Sequence, residues 1–426
     1  MRSGLGRTLV LLAGGSLATA GWGAVFPFLY ADIAIARGLG GAVATGTFTA
    51  FAIGSVLAAP LAGQLADRAN PTVVATSARV ALAGSTLLLS WASGPLAIWL
   101  AAVVFGAAVA VALPALQLIL LARTPANRRR DIFAWQFIAN NLGAASGAAI
   151  GGMLVNLSSQ ATMRPVYLLA SGASLISALV VALAGRGATR VAGAGNLSAG
   201  SVNFRQLLRS RPVRWLLAIA MLITLACYAQ FDAGLPAYVL TSTSVGAPLL
   251  GVAVAINAVL VGVLTGPVVA YSRRRGGPAL LATCAVLWVG CWVIFGLPLI
   301  VGGNDSAFVI VGFAAFSVGE TMMAPILSAL AVSLAPQGAT GRTIATVTGA
   351  STLATAVGPV ASGALLGAGL PAAFIGMQVL FCLAAAGAAI RLGRLLPVVA
   401  ANPRRQAAEV LGDGASSGLA ATEAAR

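Results

Sequence analysis

Long runs of Ala, Leu, Val, Ile and Gly follow one another along the whole chain, separated by short breaks rich in Gly, Pro and Arg. A run that stays apolar for about 20 residues has the length of a helix crossing a bilayer. Twelve such runs are predicted, at 8–30, 42–65, 73–93, 96–122, 132–155, 165–184, 213–240, 247–271, 278–301, 307–334, 343–368 and 371–393. The pattern implies an all-α membrane protein with twelve transmembrane helices.

Composition agrees and removes whole classes of chemistry. Of the 426 residues, 59% are hydrophobic and 8% charged, where a soluble chain carries about 25% charged residues. There is no His and no Lys; all 25 basic residues are Arg. Without His there is no Ser-His-Asp triad and no HExxH zinc site, and without Lys no Walker A loop and no Schiff-base lysine. An enzyme is therefore not expected, nor a nucleotide site, a metal or another cofactor. The four cysteines, Cys227, Cys284, Cys291 and Cys382, lie in apolar runs without CxxC spacing and are read as packing residues.

The net charge of +16 raises the question of a nucleic-acid partner, and the placement of the arginines answers it. Apart from Arg37, Arg164 and Arg79, every Arg falls before the first run, at or after the end of the last, or at alternate breaks between runs. Charge sorted this way follows the positive-inside rule and puts both termini on the cytoplasmic side of a cell membrane, with no nucleic acid involved. The first run also resembles a secretory signal, but an even number of spans favours an uncleaved helix. The longest polar break, 185–212, divides the chain into a bundle at 1–184 and another at 213–394, with an Ala-, Gly- and Ser-rich tail at 395–426 read as disordered. Special residues recur at one offset between these halves: Pro114 with Pro325, Pro125 with Pro336, Gly147 with Gly358, and Gly152 with Gly363. Two parallel repeats of six spans are a transporter architecture.

The break after the second run reads Gly63-Gln64-Leu65-Ala66-Asp67-Arg68. This hexad resembles the cytoplasmic signature of the major facilitator superfamily, whose members place two six-helix bundles around a central cavity. The resemblance implies that Gly63 allows close helix approach and that Asp67, with Arg68, latches the halves together on the cytoplasmic side. Asn70-Pro71 stands where the family usually has Gly-Arg. The fifth run carries Gly143, Gly147 and Gly151 four residues apart on one helix face, followed by Gly152. Small residues there admit a neighbouring backbone. The stretch resembles the G-P-x-x-G-G signature of the family's antiporter branch, with Ala148 at the Pro position. The eleventh run keeps the Pro, as Gly358-Pro359-Val360-Ala361-Ser362-Gly363. The branch's Arg-x-x-Gln-Gly signature is absent; Val104-Phe105-Gly106 occupies that region.

Ionisable residues inside membrane spans are functional candidates by default. Glu320, near the middle of the tenth run, suits either proton coupling or substrate contact, or else a fixed internal hydrogen bond. Asp232, near Gln230 and Tyr228 in the outer third of the seventh run, either binds substrate or proton or faces the external mouth. Asp32 is expected to be a solvated boundary residue, and Arg79 to lie close enough to the cytoplasm to snorkel, with a structural partner rather than in contact with substrate. Asn140, Asn141 and Asn257 add polar points on spans five and eight. Trp22, Phe26 and Phe28 either line an apolar cavity or face lipid.

The expected function is secondary transport by alternating access, with export of a small apolar or cationic molecule in exchange for protons. A metabolite uptake symporter or facilitator is the alternative, and a non-transporting sensor on the same fold a further one. The partners are a small-molecule substrate, protons and the lipid bilayer.

Overall fold

The computed structural model describes residues 2–124, 129–155, 163–187, 208–272, 276–301, 303–335 and 340–396. Most of the predicted linker, 188–207, and the tail from 397 onward lie outside these residues. The described residues form twelve long helices and no strand: α1 (Arg2–Ala31), α2 (Gly40–Arg68), α3 (Pro71–Trp91), α4 (Pro95–Arg123), α5 (Arg129–Leu154), α6 (Met163–Ala184), α7 (Arg211–Ser242), α8 (Ala247–Ser272), α9 (Gly277–Gly296), α10 (Asp305–Ser333), α11 (Thr340–Gly367) and α12 (Pro371–Leu395). Eleven are apolar and long enough to cross a bilayer. The remaining one, α5, has the length at 26 residues, but Arg129, Arg130, Asp131, Gln136, Asn140 and Asn141 lower its hydropathy. It is a spanning helix by position, packed along α1 and α8.

Local chemistry sets the ends of these helices. A Pro occupies the first turn of α3, α4, α7, α9 and α12, where its missing N–H costs nothing and its fixed φ suits the helix. The Asn70-Pro71 pair that stands in place of the family's usual Gly-Arg starts α3: the Asn70 side chain accepts from the Thr72 N–H at 2.9 Å. At the other end of a span, Gly369 at φ +69° lets α11 close with Leu370 N–H on Leu365 C=O and turn into α12. Large apolar side chains such as Leu57, Leu96, Met153, Val263 and Leu380 point outward from the bundle, as a lipid-facing surface requires.

The helix pairs repeat with a step of six. In the first half α1 packs on α5 and α6, α2 on α4, and α3 on α4 and α6; in the second, α7 packs on α11 and α12, α8 on α10, and α9 on α10 and α12. Between the halves α5 packs on α8 and α2 on α11, again an exchanged pair. The glycines at the 211-residue offset hold equivalent places. A Cβ on Gly147 would run into Ala20 and Ala24 of α1, and one on Gly358 into Ala229 of α7. A Cβ on Gly152 would meet Ala247 and Gly251 of α8, and one on Gly363 would meet Thr45 of α2. So the first glycine of each motif lets two helices of one half approach, and the last lets the halves approach each other. Gly143 and Gly151 extend the first kind of contact along α1, facing Ser16 and Ala24.

Asp32 corrects a sequence expectation. It is not at a solvated boundary but fully buried. A π-helical turn, Asp32–Ala36, follows α1 and brings Arg37 back onto the carboxylate. Arg37 Nη2 lies 2.8 Å from Asp32 Oδ2, and the Tyr167 hydroxyl donates to the same oxygen at 2.7 Å. Arg37 also donates to the Ala92 and Leu89 carbonyls at the end of α3. The cluster therefore ties α1, α3 and α6 together at the face away from the termini. Removing one partner of a buried pair leaves the other charge uncompensated, at a cost of about 3–5 kcal/mol. Asp32→Asn is expected to lower the thermal unfolding midpoint in detergent clearly, and Asp32→Asn with Arg37→Gln to recover part of the loss. Equal midpoints for Asp32→Asn and wild type would show that the pair does not hold this corner.

Candidate functional site

A cavity of about 370 Å³ lies near the middle of the helices, between the two halves. Its wall is mainly apolar, from Ala18, Trp22, Leu82, Val109, Leu113, Leu116, Phe137, Phe231, Val254 and Phe316. The polar groups on it are few: Arg79, Asn140 and Asn141 from the first half, and Tyr228, Asp232, Asn257 and Glu320 from the second, with Thr19 beside them. Concave, mostly apolar sites with a few placed polar groups are the usual form of a small-molecule site. Between this cavity and the face away from the termini lie the Gly152 and Gly363 contacts, together with the hydrogen bond from Thr49 Oγ1 to Ala356 O at 3.1 Å.

The shape of α7 decides which of its polar residues reach the cavity. The helix runs as an α-helix to Ile223, widens into two π-helical turns, Thr224–Tyr228 and Gln230–Gly234, and resumes at Leu235. Such wide turns re-aim side chains and often sit at functional sites. Here Tyr228, Phe231 and Asp232 face the cavity, while Gln230 is turned away and wholly buried. The Gln230 amide donates to Leu225 O at 2.8 Å, and its carbonyl accepts from the Ser362 hydroxyl of α11. Gln230 is thus a helix-packing residue of the α7–α11 contact and does not line the cavity. Asp232 is on the cavity wall and makes no hydrogen bond or ion pair among the described residues.

Glu320 enters the same cavity from α10, and its Oε2 has no hydrogen-bond partner. Asn257 lines the wall with it and donates to Phe313 O at 3.3 Å. Asn141 donates to Phe137 O one turn back along α5, and Asn140 faces Thr19 of α1.

Arg79 lies where the sequence did not predict it. It is 2% exposed, so it does not snorkel out. Its Nε donates to Ser177 Oγ at 2.9 Å and its Nη1 to Ala75 O at 3.0 Å, both neutral partners. The Ser177 hydroxyl in turn donates to Gly14 O at 2.6 Å. The first half therefore presents a held cation to the cavity and the second half two carboxylates. Of the aromatic residues on α1, Trp22 lines the cavity, Phe26 packs among Phe48, Phe51 and Phe105, and Phe28 is buried near Gly152. None of the three faces lipid.

Tyr228 also borders a second space of about 470 Å³ between α2, α7, α10 and α11, with Ser55, Thr224, Thr348, Ser351, Thr352 and Thr355 on its wall. Sequence reasoning missed this hydroxyl row. The signal was available in the spacing of Thr348, Ser351, Thr352 and Thr355, which puts them on one face of α11. Gly63, Asp67 and Arg68 belong to the last turns of α2, and their side chains lie outside the described residues.

Solved structures of low sequence identity share this architecture. A bacterial homolog of the human lysosomal transporter Spinster, in an inward-facing and unoccupied conformation, is similar with a TM-score of 0.72 at 14% identity, over 92% of this chain and 97% of that one. An auto-inhibited peptide transporter of the POT family gives 0.70 at 13% identity, over 91% and 96%. The nucleoside transporter NupG gives 0.69 at 13%, over 91% and 98%. No curated protein matches the sequence. The family model described as Major Facilitator Superfamily matches residues 11–316, which is most of the chain. With two six-helix groups related by a repeat and a cavity between them, this multi-pass membrane protein belongs to the Major Facilitator Superfamily and has the fold of its transporters.

Proposed function

We propose that the protein is a proton-coupled exporter of a small, largely apolar or cationic molecule, working by alternating access in a cell membrane with both termini cytoplasmic. The observation that carries this reading is the pair of carboxylates, Glu320 and Asp232, on the wall of one mainly apolar cavity between the halves. A carboxyl group within a membrane span is a side chain able to carry a proton. It can take a proton while the cavity faces one side and release it on the other, as rocking of the halves changes its exposure. The apolar wall favours a greasy substrate over a sugar, which would need many more hydrogen-bonding side chains. Glu320 and Asp232 are the proton-coupling or substrate residues in this scheme, with Asn141 and Asn257 as polar contacts. The direction, export, rests on the resemblance of the two glycine motifs to the antiporter branch. The cytoplasmic latch falls to Gly63, Asp67 and Arg68 on the resemblance of their hexad.

The test uses everted membrane vesicles containing the protein, a panel of lipophilic cations and neutral drugs, and an imposed pH gradient. Accumulation of a compound that requires the gradient is the expected result. No gradient-dependent movement across a broad panel would overturn the reading in favour of a narrow metabolite carrier or a sensor.

A further inference from the structure

Away from the cavity, four arginines converge at the membrane face that carries the termini. Arg211 and Arg214 stand in the first turn of α7, and Arg391 and Arg394 at the end of α12. Each pair is spaced i, i+3 and shares a helix face. With Trp215 and Leu395 they line one concavity of about 420 Å³. No acidic side chain lines it, and the arginines have no ion pair among the described residues. Arg391 lies over the Trp215 ring at 5.6 Å from its centroid.

The ordinary reasons for an arginine at a helix end do not account for this group. A cation at a helix C-terminus is favourable, which covers Arg394. The same dipole disfavours cations at an N-terminus, so it opposes Arg211 and Arg214. Topological bias explains arginines on this side of the membrane but not their gathering around a hollow. By contrast, Arg123 at the end of α4 donates to a protein group, the Arg186 carbonyl. Four guanidinium groups facing one space repel one another unless an anion sits among them. Guanidinium forks match phosphate oxygens in two-point hydrogen bonds. Trp is the side chain that settles at headgroup depth.

We propose that this hollow between α7 and α12 binds the headgroup of an anionic phospholipid from the leaflet on the side of the termini. The phosphate sits among Arg211, Arg214, Arg391 and Arg394, with Trp215 as its floor. The acyl chains run down the lipid-facing surface of α12, where Ile390 and Leu383 are exposed. Four positive charges suit a headgroup with two phosphates better than one with a single phosphate. The site is independent of the transport reading.

The test is thermal unfolding of the whole protein in detergent, titrated with cardiolipin, phosphatidylglycerol, phosphatidylcholine or inorganic phosphate. The midpoint is expected to rise with the two anionic lipids, at lower concentration for cardiolipin, and to stay put with phosphatidylcholine and inorganic phosphate. Both Arg214 and Arg391 are exposed, so Arg214→Gln with Arg391→Gln should fold. A juxtamembrane arginine contributes roughly fivefold in affinity, so the half-saturating lipid concentration should rise ~30-fold in that variant. The matching Lys pair should keep most of the response. Equal stabilisation by phosphatidylcholine, an unchanged response in the double Gln variant, or the same shift with inorganic phosphate would overturn the proposal.

Discussion

Glu320→Gln is expected to reduce pH-gradient-driven transport to the level of vesicles lacking the protein, while substrate still exchanges across the membrane without a gradient. The amide keeps the size and polarity of the carboxyl group but cannot carry a proton. In the structure Glu320 Oε2 has no hydrogen-bond partner, and the amide oxygen of Gln can still accept from Asn257 as the carboxyl group does, so folding should be preserved. Asp232→Asn is the informative companion, because Asp232 shares the cavity wall. If Glu320 carries the proton and Asp232 contacts substrate, Asp232→Asn changes substrate preference and leaves coupling in place. Undiminished gradient-driven flux in Glu320→Gln would remove Glu320 from the coupling role. Loss of exchange together with coupling would assign it to substrate binding instead.

The second large effect concerns the glycines between the halves. A Cβ on Gly152 would stand 2.8 Å from Ala247 O and 3.2 Å from the Gly251 Cα. Backbone atoms cannot rotate away, so Gly152→Val must push α8 from α5. Overpacking of this kind costs about 1–3 kcal/mol. The strain exists only while these ends are in contact, so it shifts the balance of conformations roughly 5- to 150-fold away from the state described here. Gly363→Val at the Thr45 contact should act in the same direction. Spin-label distances between the ends of α2 and α11 away from the termini would report the shift. Gly147→Val provides the contrast, since its neighbours Ala20 and Ala24 belong to the same half. It should lower thermal stability without moving the distance distribution. A shift as large for Gly147→Val as for Gly152→Val would contradict the division between the two glycine positions.

Much of this arrangement is legible in the chain because bilayers impose simple rules. Helix length is set by membrane thickness, so apolar runs mark the spans even where their limits move by several residues. The offset pairs Gly147 with Gly358 and Gly152 with Gly363 were readable because only glycine permits such close helix contact. Glu320 stood out because a carboxylate in an apolar run is rare. Other residues could not be read. Asp32 looked like a boundary residue, since nothing in sequence shows that a π-helical turn carries Arg37 back onto it. Arg79 looked close enough to the surface to escape, yet Ser177 on α6 holds it inside.

Gln230 and Asp232 show where the limit falls. Two residues apart in one span, they looked alike as polar candidates, but the widened turns of α7 send one into the contact with Ser362 and the other to the cavity. The number and nature of the helices, the sorting of charge and the repeat between halves are all written in the order of residues. These follow from hydrophobic length, from charge placement and from residues whose backbone freedom or lack of a side chain is unique. Which polar groups share the cavity, that Arg79 lines it together with two carboxylates, and that four distant arginines meet around one hollow emerge only when the helices are packed. Those outcomes depend on the rotation of each helix about its axis, which is set by packing against neighbours far away in the chain.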